Sequence, residues 1–237
     1  EYFRMKRTTL LKNIRHIFFP ETCLFCGKPV YCGELFCKEC AKEDHQPRIP
    51  DLCANCGQSY DACCCGLPTV SVYYYEEGAR QAVHRMKFDG ERLCAEQLAA
   101  LMAARYRKSG WEPPELIVPV PLHPLDRYLR GFSQTDWLCR ALSAELSIPW
   151  EKKALRKIRR TKKQHVLSQK ERRSNLAGAF CARSTARING KRILLVDDVF
   201  TTGSTLKEAA LALKRAGAGA VFALTAAKTR FTGRDGL

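Results

Sequence analysis

Apolar residues in this 237-residue chain follow two different periods, and the alternation between them gives the first structural expectation. Near-continuous apolar runs at residues 70–75, 116–120, 193–196 and 221–225 read as strands buried on both faces, as in a parallel sheet. Between them the spacing turns helical. Leu93, Leu98, Leu101, Met102 and Tyr106 mark a helix over 93–107, and Trp137, Leu138, Ala141, Leu142 and Leu146 mark one over 137–146. Leu206, Ala209, Ala210 and Leu213 mark a third over 206–215, with a shorter helix at 79–88. Prolines within 111–114 and glycines within 217–219 break the pattern. Strand alternates with helix, so the expected fold class is α/β, a twisted, mostly parallel sheet flanked by helices. Residues 1–20 carry Leu10, Leu11, Ile14, Ile17 and Phe18 among Lys6, Arg7, Lys12 and Arg15. They read as an amphipathic helix packed on its own protein, a membrane-surface or partner helix being the other reading.

The stretch at 193–205, ILLVDDVFTTGST, organises the rest. Its apolar run ends in Asp197 and Asp198, and a hydroxyl-rich loop around Gly203 then opens a helix. Backbone N–H groups from Thr201 to Thr205 at a helix N-terminus suit an anion such as phosphate, and Thr202, Ser204 and Thr205 add hydroxyl donors. Carboxylates where an open α/β sheet turns into its loops can accept hydrogen bonds from sugar hydroxyls. A structural βα turn with an acidic cap explains less, because a cap needs one acidic residue and no TTGST loop. No lysine follows the glycine, which excludes a Walker A loop.

Charge sharpens the picture because it is local. The formal net charge is +16, and residues 151–192 hold 15 basic against 2 acidic side chains. An anionic partner, pyrophosphate or a nucleic-acid backbone, is expected there, with Lys152, Lys153, Arg159, Arg160, Lys162, Lys163, Arg172 and Arg173 as candidate nucleic-acid contacts. Phe180 is the only aromatic in that segment, so it offers no evident platform for stacking bases. With 46% apolar residues the chain can bury a real core. It contains no apolar run long enough to span a membrane, and residues 1–20 lack the pattern of a secretory leader, so a cytoplasmic location is expected.

Ten of the thirteen cysteines fall between Cys23 and Cys65. In a reducing compartment that points to metal rather than disulfides. Cys23, Cys26, Cys37 and Cys40 form two Cys-x-x-Cys pairs, which suits one tetrahedral structural zinc site. Cys53 and Cys56 start a second set that needs two of Cys63, Cys64 and Cys65; Cys63 and Cys65 are the chosen pair, and Cys32 is spare. No histidine or open carboxylate position fits a catalytic zinc. The expected organisation is therefore the helix at 1–20, a cysteine-rich zinc-finger domain at 21–68 and an α/β domain at 69–237.

The run at 116–120 leads into Pro121, Leu122, His123 and Pro124, followed by Arg127, Arg130, Gly131, Phe132, Ser133 and Gln134. Guanidinium groups bind phosphate oxygens as a bidentate fork, so both arginines are candidate pyrophosphate contacts, an exposed helix surface being the alternative. Lys87, before Phe88 and Gly90, is either a further phosphate contact or a solvated lysine.

Residues 193–205 resemble the 5-phosphoribosyl-1-pyrophosphate (PRPP) motif of type I phosphoribosyltransferases. That resemblance implies that Asp197 and Asp198 hold the ribose 2- and 3-hydroxyls, that Thr201, Thr202, Gly203, Ser204 and Thr205 wrap the 5-phosphate, and that the loop from Pro121 to His123 holds pyrophosphate with its backbone amides. Read in order, the Cys-x-x-Cys pairs, KF at 87–88, VPVPLHPLDRYLRGFSQ, QHVLSQKERRSNLAGAF and ILLVDDVFTTGST resemble the ComF family of natural competence. The family implies a zinc finger fused to a type I phosphoribosyltransferase fold, Mg²⁺ with PRPP, and a role in handling incoming single-stranded DNA beside other competence proteins. Two departures stand out. Ser133 occupies a position where the family usually has asparagine, and the second cysteine set ends in three adjacent cysteines rather than a Cys-x-x-Cys. Thr201 stands where purine-salvage phosphoribosyltransferases place a carboxylate that serves the base, which argues against hypoxanthine or guanine as acceptor.

Overall fold

The computed structural model describes residues 21–31, 33–42, 49–59, 65–159, 178–183 and 187–230. The helix expected over 1–20, and Cys32, Cys63 and Cys64, lie outside the described residues. Among those described, four parallel strands form the central sheet: β1 (Thr69–Tyr74), β2 (Leu116–Pro119), β5 (Arg192–Phe200) and β6 (Ala220–Lys228), in the order β1-β6-β5-β2. A short antiparallel ribbon, β3 (Leu155–Lys157) with β4 (Phe180–Ala182), stands apart from it. Each strand and helix expected within the described residues is present, with boundaries moved by a few residues.

The helices are α1 (Glu77–His84), α2 (Arg92–Arg107), α3 (Pro124–Arg130), α4 (Gln134–Leu146) and α5 (Ser204–Arg215). Between α1 and α2 the chain widens into one π-type turn, Arg85–Asp89, closed by Gly90 at φ 70. Such insertions are frequent at functional sites.

Strand alternation divides the apolar residues between two faces. Leu194 and Val196 of β5, with Leu224 and Ala226 of β6, pack against α1, α2 and α4, while Ile193, Leu195, Val221 and Ala223 face α5 and the ribbon. The continuous apolar runs thus reflect a sheet covered on both sides.

β5 is longer than its apolar run suggested. It pairs with β6 as far as Phe200 with Lys228, so Asp197 and Asp198 lie within the strand rather than beyond its end. Ladder hydrogen bonding to β6 overrides the unfavourable local preference of aspartate for strand.

The cysteine-rich segment shares the sheet's core. Phe25, 1% exposed, packs on Phe36 (ring centroids 4.8 Å apart) and edge-on to Tyr73 of β1 (5.4 Å). Gly78 permits that approach, since a Cβ there would lie 2.3 Å from the Phe25 ring. Phe25→Ala removes this wedge and is expected to cost about 3–5 kcal/mol, measurable as a lowered urea midpoint.

Candidate functional site

The carboxyl ends of β2 and β5 open onto a common edge, where open α/β sheets bind ligands. The two aspartates of β5 have different partners. Asp198 is buried and meets the π-turn: Lys87 Nζ lies 2.8 Å from its Oδ1, and Gln134 Nε2 donates to its Oδ2 at 2.8 Å. Arg130 Nη1 in turn donates to Gln134 Oε1 at 2.7 Å. Burial alone would lower the Lys87 pKa, but the Asp198 carboxylate outweighs it and the ammonium is held above its ordinary value. Lys87 is therefore an ion-paired site lysine rather than a solvated one.

Asp197 behaves differently. Desolvation and the neighbouring Asp198 charge push its carboxyl well above the usual carboxylate range, while the Asp198 N–H bond (2.9 Å), Lys87 and Lys157 pull the other way. Of the two, Asp197 is the one inclined to keep its proton.

The hydroxyl loop follows at once. Gly203, at φ 72, caps α5 in the left-handed region, where a Cβ would also meet the Phe200 ring at 2.7 Å. Ser204 N, at the start of α5, donates to Thr202 Oγ1 at 3.5 Å. Thr202 Oγ1 and Ser204 Oγ are 2.9 Å apart, while Thr201 and Thr205 flank them.

Across the edge, Pro121 and Leu122 line a cavity of about 390 Å³. Six cations also border it: Arg127, Lys152, Lys153, Arg156, Lys157 and Arg183. Burial lowers the Lys157 pKa, while the Asp126 and Asp197 charges pull it back up. His123 is the N-cap of α3, its Nδ1 accepting from Leu125 N at 3.3 Å.

The two arginines after the 121–124 loop have different partners. Arg127 lines the basic cavity and pairs with Asp136 at 3.4 Å, whereas Arg130 turns toward Gln134 and lies 5.5 Å over the Phe88 ring. Three residues apart on a seven-residue helix with no buried side chain, they end up serving different sides of the site. Ser133 caps α4 by accepting from Asp136 N (3.3 Å), work that asparagine also does, which explains why the family departure is tolerated. Gln134 gave no sequence signal beyond lying in the GFSQ string; only its contact with Asp198, 64 residues away, reveals it.

In the basic segment, Lys152 pairs with Asp136 at 2.8 Å, Lys153 borders the cavity, and Arg159 is exposed. Arg160, Lys162, Lys163, Arg172 and Arg173 lie outside the described residues.

The thiols of Cys23, Cys26, Cys37 and Cys40 all lie within 4.8 Å of one another, as do those of Cys53, Cys56 and Cys65. Cys26 and Cys37 sulfurs are 3.7 Å apart, as are Cys53 and Cys65. Tetrahedral zinc with bonds of about 2.3 Å requires sulfurs about 3.8 Å apart, so both sets fit the ion. Thr69 N and Asn55 Nδ2 donate to the Cys53 and Cys65 sulfurs at 3.3 Å, the support expected around thiolates. The cysteine clusters can hold structural zinc.

The comparisons agree with this geometry. Residues 137–232 match the phosphoribosyl transferase domain family. The chain is 34% identical to the DNA utilization protein YhgH of Escherichia coli (strain K12), over 85% of this chain and 94% of that protein. It is 32% identical to Competence protein F of Haemophilus influenzae, over 84% and 93%. Competence protein ComFC of Streptococcus pneumoniae is 29% identical over 78% of this chain and 77% of its own. No described helix is long and apolar enough to cross a membrane.

Two tests follow. Because folding raises the Asp197 pKa above its unfolded value of about 3.9, native protein keeps a proton that the unfolded chain has lost. Stability should therefore fall as pH rises from about 4 toward the folded value. Asp197→Asn is expected to flatten that decline by roughly 1 kcal/mol between pH 5 and 8, read from denaturant midpoints. For the metal, elemental analysis of purified protein should find zinc, and Cys37→Ser should remove about one ion per chain. Retention should weaken as pH falls, since protons compete for the thiolates.

With relatives at 32 to 34% identity along most of its length and a matching phosphoribosyl transferase domain, the chain belongs to the ComF family and carries a type I phosphoribosyltransferase domain.

Proposed function

We propose that this protein binds PRPP with Mg²⁺ at the carboxyl edge of β5 and β2, and that it acts in the handling of incoming single-stranded DNA during natural competence. The observation that carries the reading is the placement of Asp197 and Asp198 directly before the loop at the N-terminus of α5, with the six-cation cavity facing them.

In this reading Asp197 and Asp198 accept hydrogen bonds from the ribose hydroxyls. Thr201, Thr202, Gly203, Ser204 and Thr205 surround the 5-phosphate, where backbone N–H groups and the helix dipole favour the anion. Pro121, Leu122 and His123, with Arg127, border the pyrophosphate, and Lys87 and Arg130 complete the cationic frame. The oxygen donors of the acidic pair and of PRPP itself are the hard ligands that Mg²⁺ prefers; when bound it neutralises charge on the pyrophosphate. If transfer occurs, the C1–O bond breaks with its electron pair leaving on pyrophosphate, an acceptor nitrogen forms the new C1–N bond, and that nitrogen loses its proton. Arg127 and the cavity lysines would offset the charge developing on the leaving group.

A second reading keeps the PRPP grip and omits transfer: an adaptor that holds single-stranded DNA or competence proteins through the cysteine-rich segment and the basic segment. Thr201 favours it, because no carboxylate stands where purine-salvage enzymes address the base. The names of the relatives, DNA utilization and competence proteins, fit both readings.

Calorimetric titration of PRPP with Mg²⁺ is expected to show binding, and Asp197→Asn with Asp198→Asn to weaken it at least tenfold. Absence of binding by the parent protein would remove both readings. Pyrophosphate release with a nitrogen acceptor would select the transferase, and binding without release the adaptor.

A further inference from the structure

The basic segment 151–192 carries one aromatic residue, yet the fold assembles rings elsewhere. Where the π-turn meets the α3–α4 junction, Phe88 stands 61% exposed, its ring 4.5 Å from that of His84 and capped by the Arg130 guanidinium at 5.5 Å. Beside it, Phe132 stacks flat on Trp137, centroids 4.4 Å apart at an interplanar angle of 6°, and exposed Arg92 lies 5.2 Å over the Trp137 ring. The two ring groups are neighbours: a Cβ on Gly90, two residues after Phe88, would sit 3.6 Å from Phe132.

We infer that these rings and arginines form a stacking platform for the unpaired bases of single-stranded nucleic acid. The inference rests on the DNA-handling reading above and deepens it by naming the surface and the mode of contact. Flat aromatic faces accept any base, and guanidinium groups laid over rings can turn to phosphates without leaving the surface. Charge selects the occupant. An apolar protein partner would have to bury Arg92 and Arg130, whereas an anionic strand pairs with them. Glu91, next to Arg92 in sequence, is occupied by Arg85 through bonds of 3.0 and 3.1 Å. The platform adjoins the candidate PRPP site: Lys87 and Gln134, the partners of Asp198, are each next to or within two residues of Phe88 and Phe132.

The test uses the full-length protein and fluorescence anisotropy with three labelled strands of equal length: dT20, an abasic 20-mer and a 20-bp duplex. The abasic strand keeps the phosphates and lacks the bases. Parent protein is expected to bind dT20 roughly tenfold more tightly than the abasic strand. Phe88→Ala and Phe132→Ala should lower dT20 affinity to the abasic level, with abasic binding and its salt dependence unchanged. Phe88→Leu keeps an apolar side chain without a π-face and should match Phe88→Ala. Because Phe88 is exposed, its variants should retain the parent's melting temperature.

Equal affinity of the parent for dT20 and the abasic strand would overturn the proposal. Parent-like dT20 binding by Phe88→Leu would do so too, as would a dimer in sedimentation that Phe88→Ala dissolves. Failure of the parent to bind PRPP by calorimetry would instead defeat the PRPP reading, and would leave the dT20-to-abasic ratio to be judged separately.

Discussion

The ion pair between Lys87 and Asp198, 2.8 Å apart where the π-turn meets β5, is the interaction on which the rest of the site depends. Pairing of β5 with β6 through Phe200 holds Asp197 and Asp198 within the strand rather than in a loop. Asp198 is turned to the side of α4 and the π-turn, where Lys87 and Gln134 occupy both its oxygens. Desolvation and the Asp198 charge raise the pKa of Asp197, while Lys87 and Lys157 pull it down. Two like residues in adjacent positions thereby come to differ in their surroundings.

The π-turn that supplies Lys87 is held from the opposite direction by the cysteine-rich segment. Arg85, at the first position of that turn, donates to the carbonyls of Cys23 and Leu24 at 3.0 and 3.1 Å and forms a bidentate pair with Glu91. Gln97 of α2 adds a bond to Thr22 O at 3.0 Å. A part-buried guanidinium with this many acceptors resists displacement, because breaking one contact leaves others unsatisfied. The first cysteine cluster is accordingly built into the same body as the acidic pair, separated from it by Arg85 and Lys87 on a single turn. Leu24 and Phe25, between its first two thiols, complete the connection by entering the core.

Much of this was legible in the residues themselves. Periodicity located the sheet strands and the long helices, because burial on both faces leaves a continuous apolar run and burial on one face leaves a helical stripe. The hydroxyl loop and the first two Cys-x-x-Cys pairs were legible for a related reason: their chemistry requires particular residue types at short, fixed spacing. Lys87 was ambiguous, since a lysine in a short amphipathic helix reads the same whether solvated or paired.

What the chain decided locally was its elements, its phosphate-type loop and its thiol clusters. What only the tertiary structure decided was which side chains meet across long separations: Lys87 and Gln134 on Asp198, Arg130 drawn away from Arg127, and Phe88 brought beside Phe132 and Trp137. The reason is physical. Spacing along the chain fixes neighbours within a turn or a strand, but residues 42 to 111 positions apart become neighbours only when the faces that carry them are packed together. In this protein the packing of α2 and α4 against one face of the sheet turns scattered polar and aromatic residues into a site.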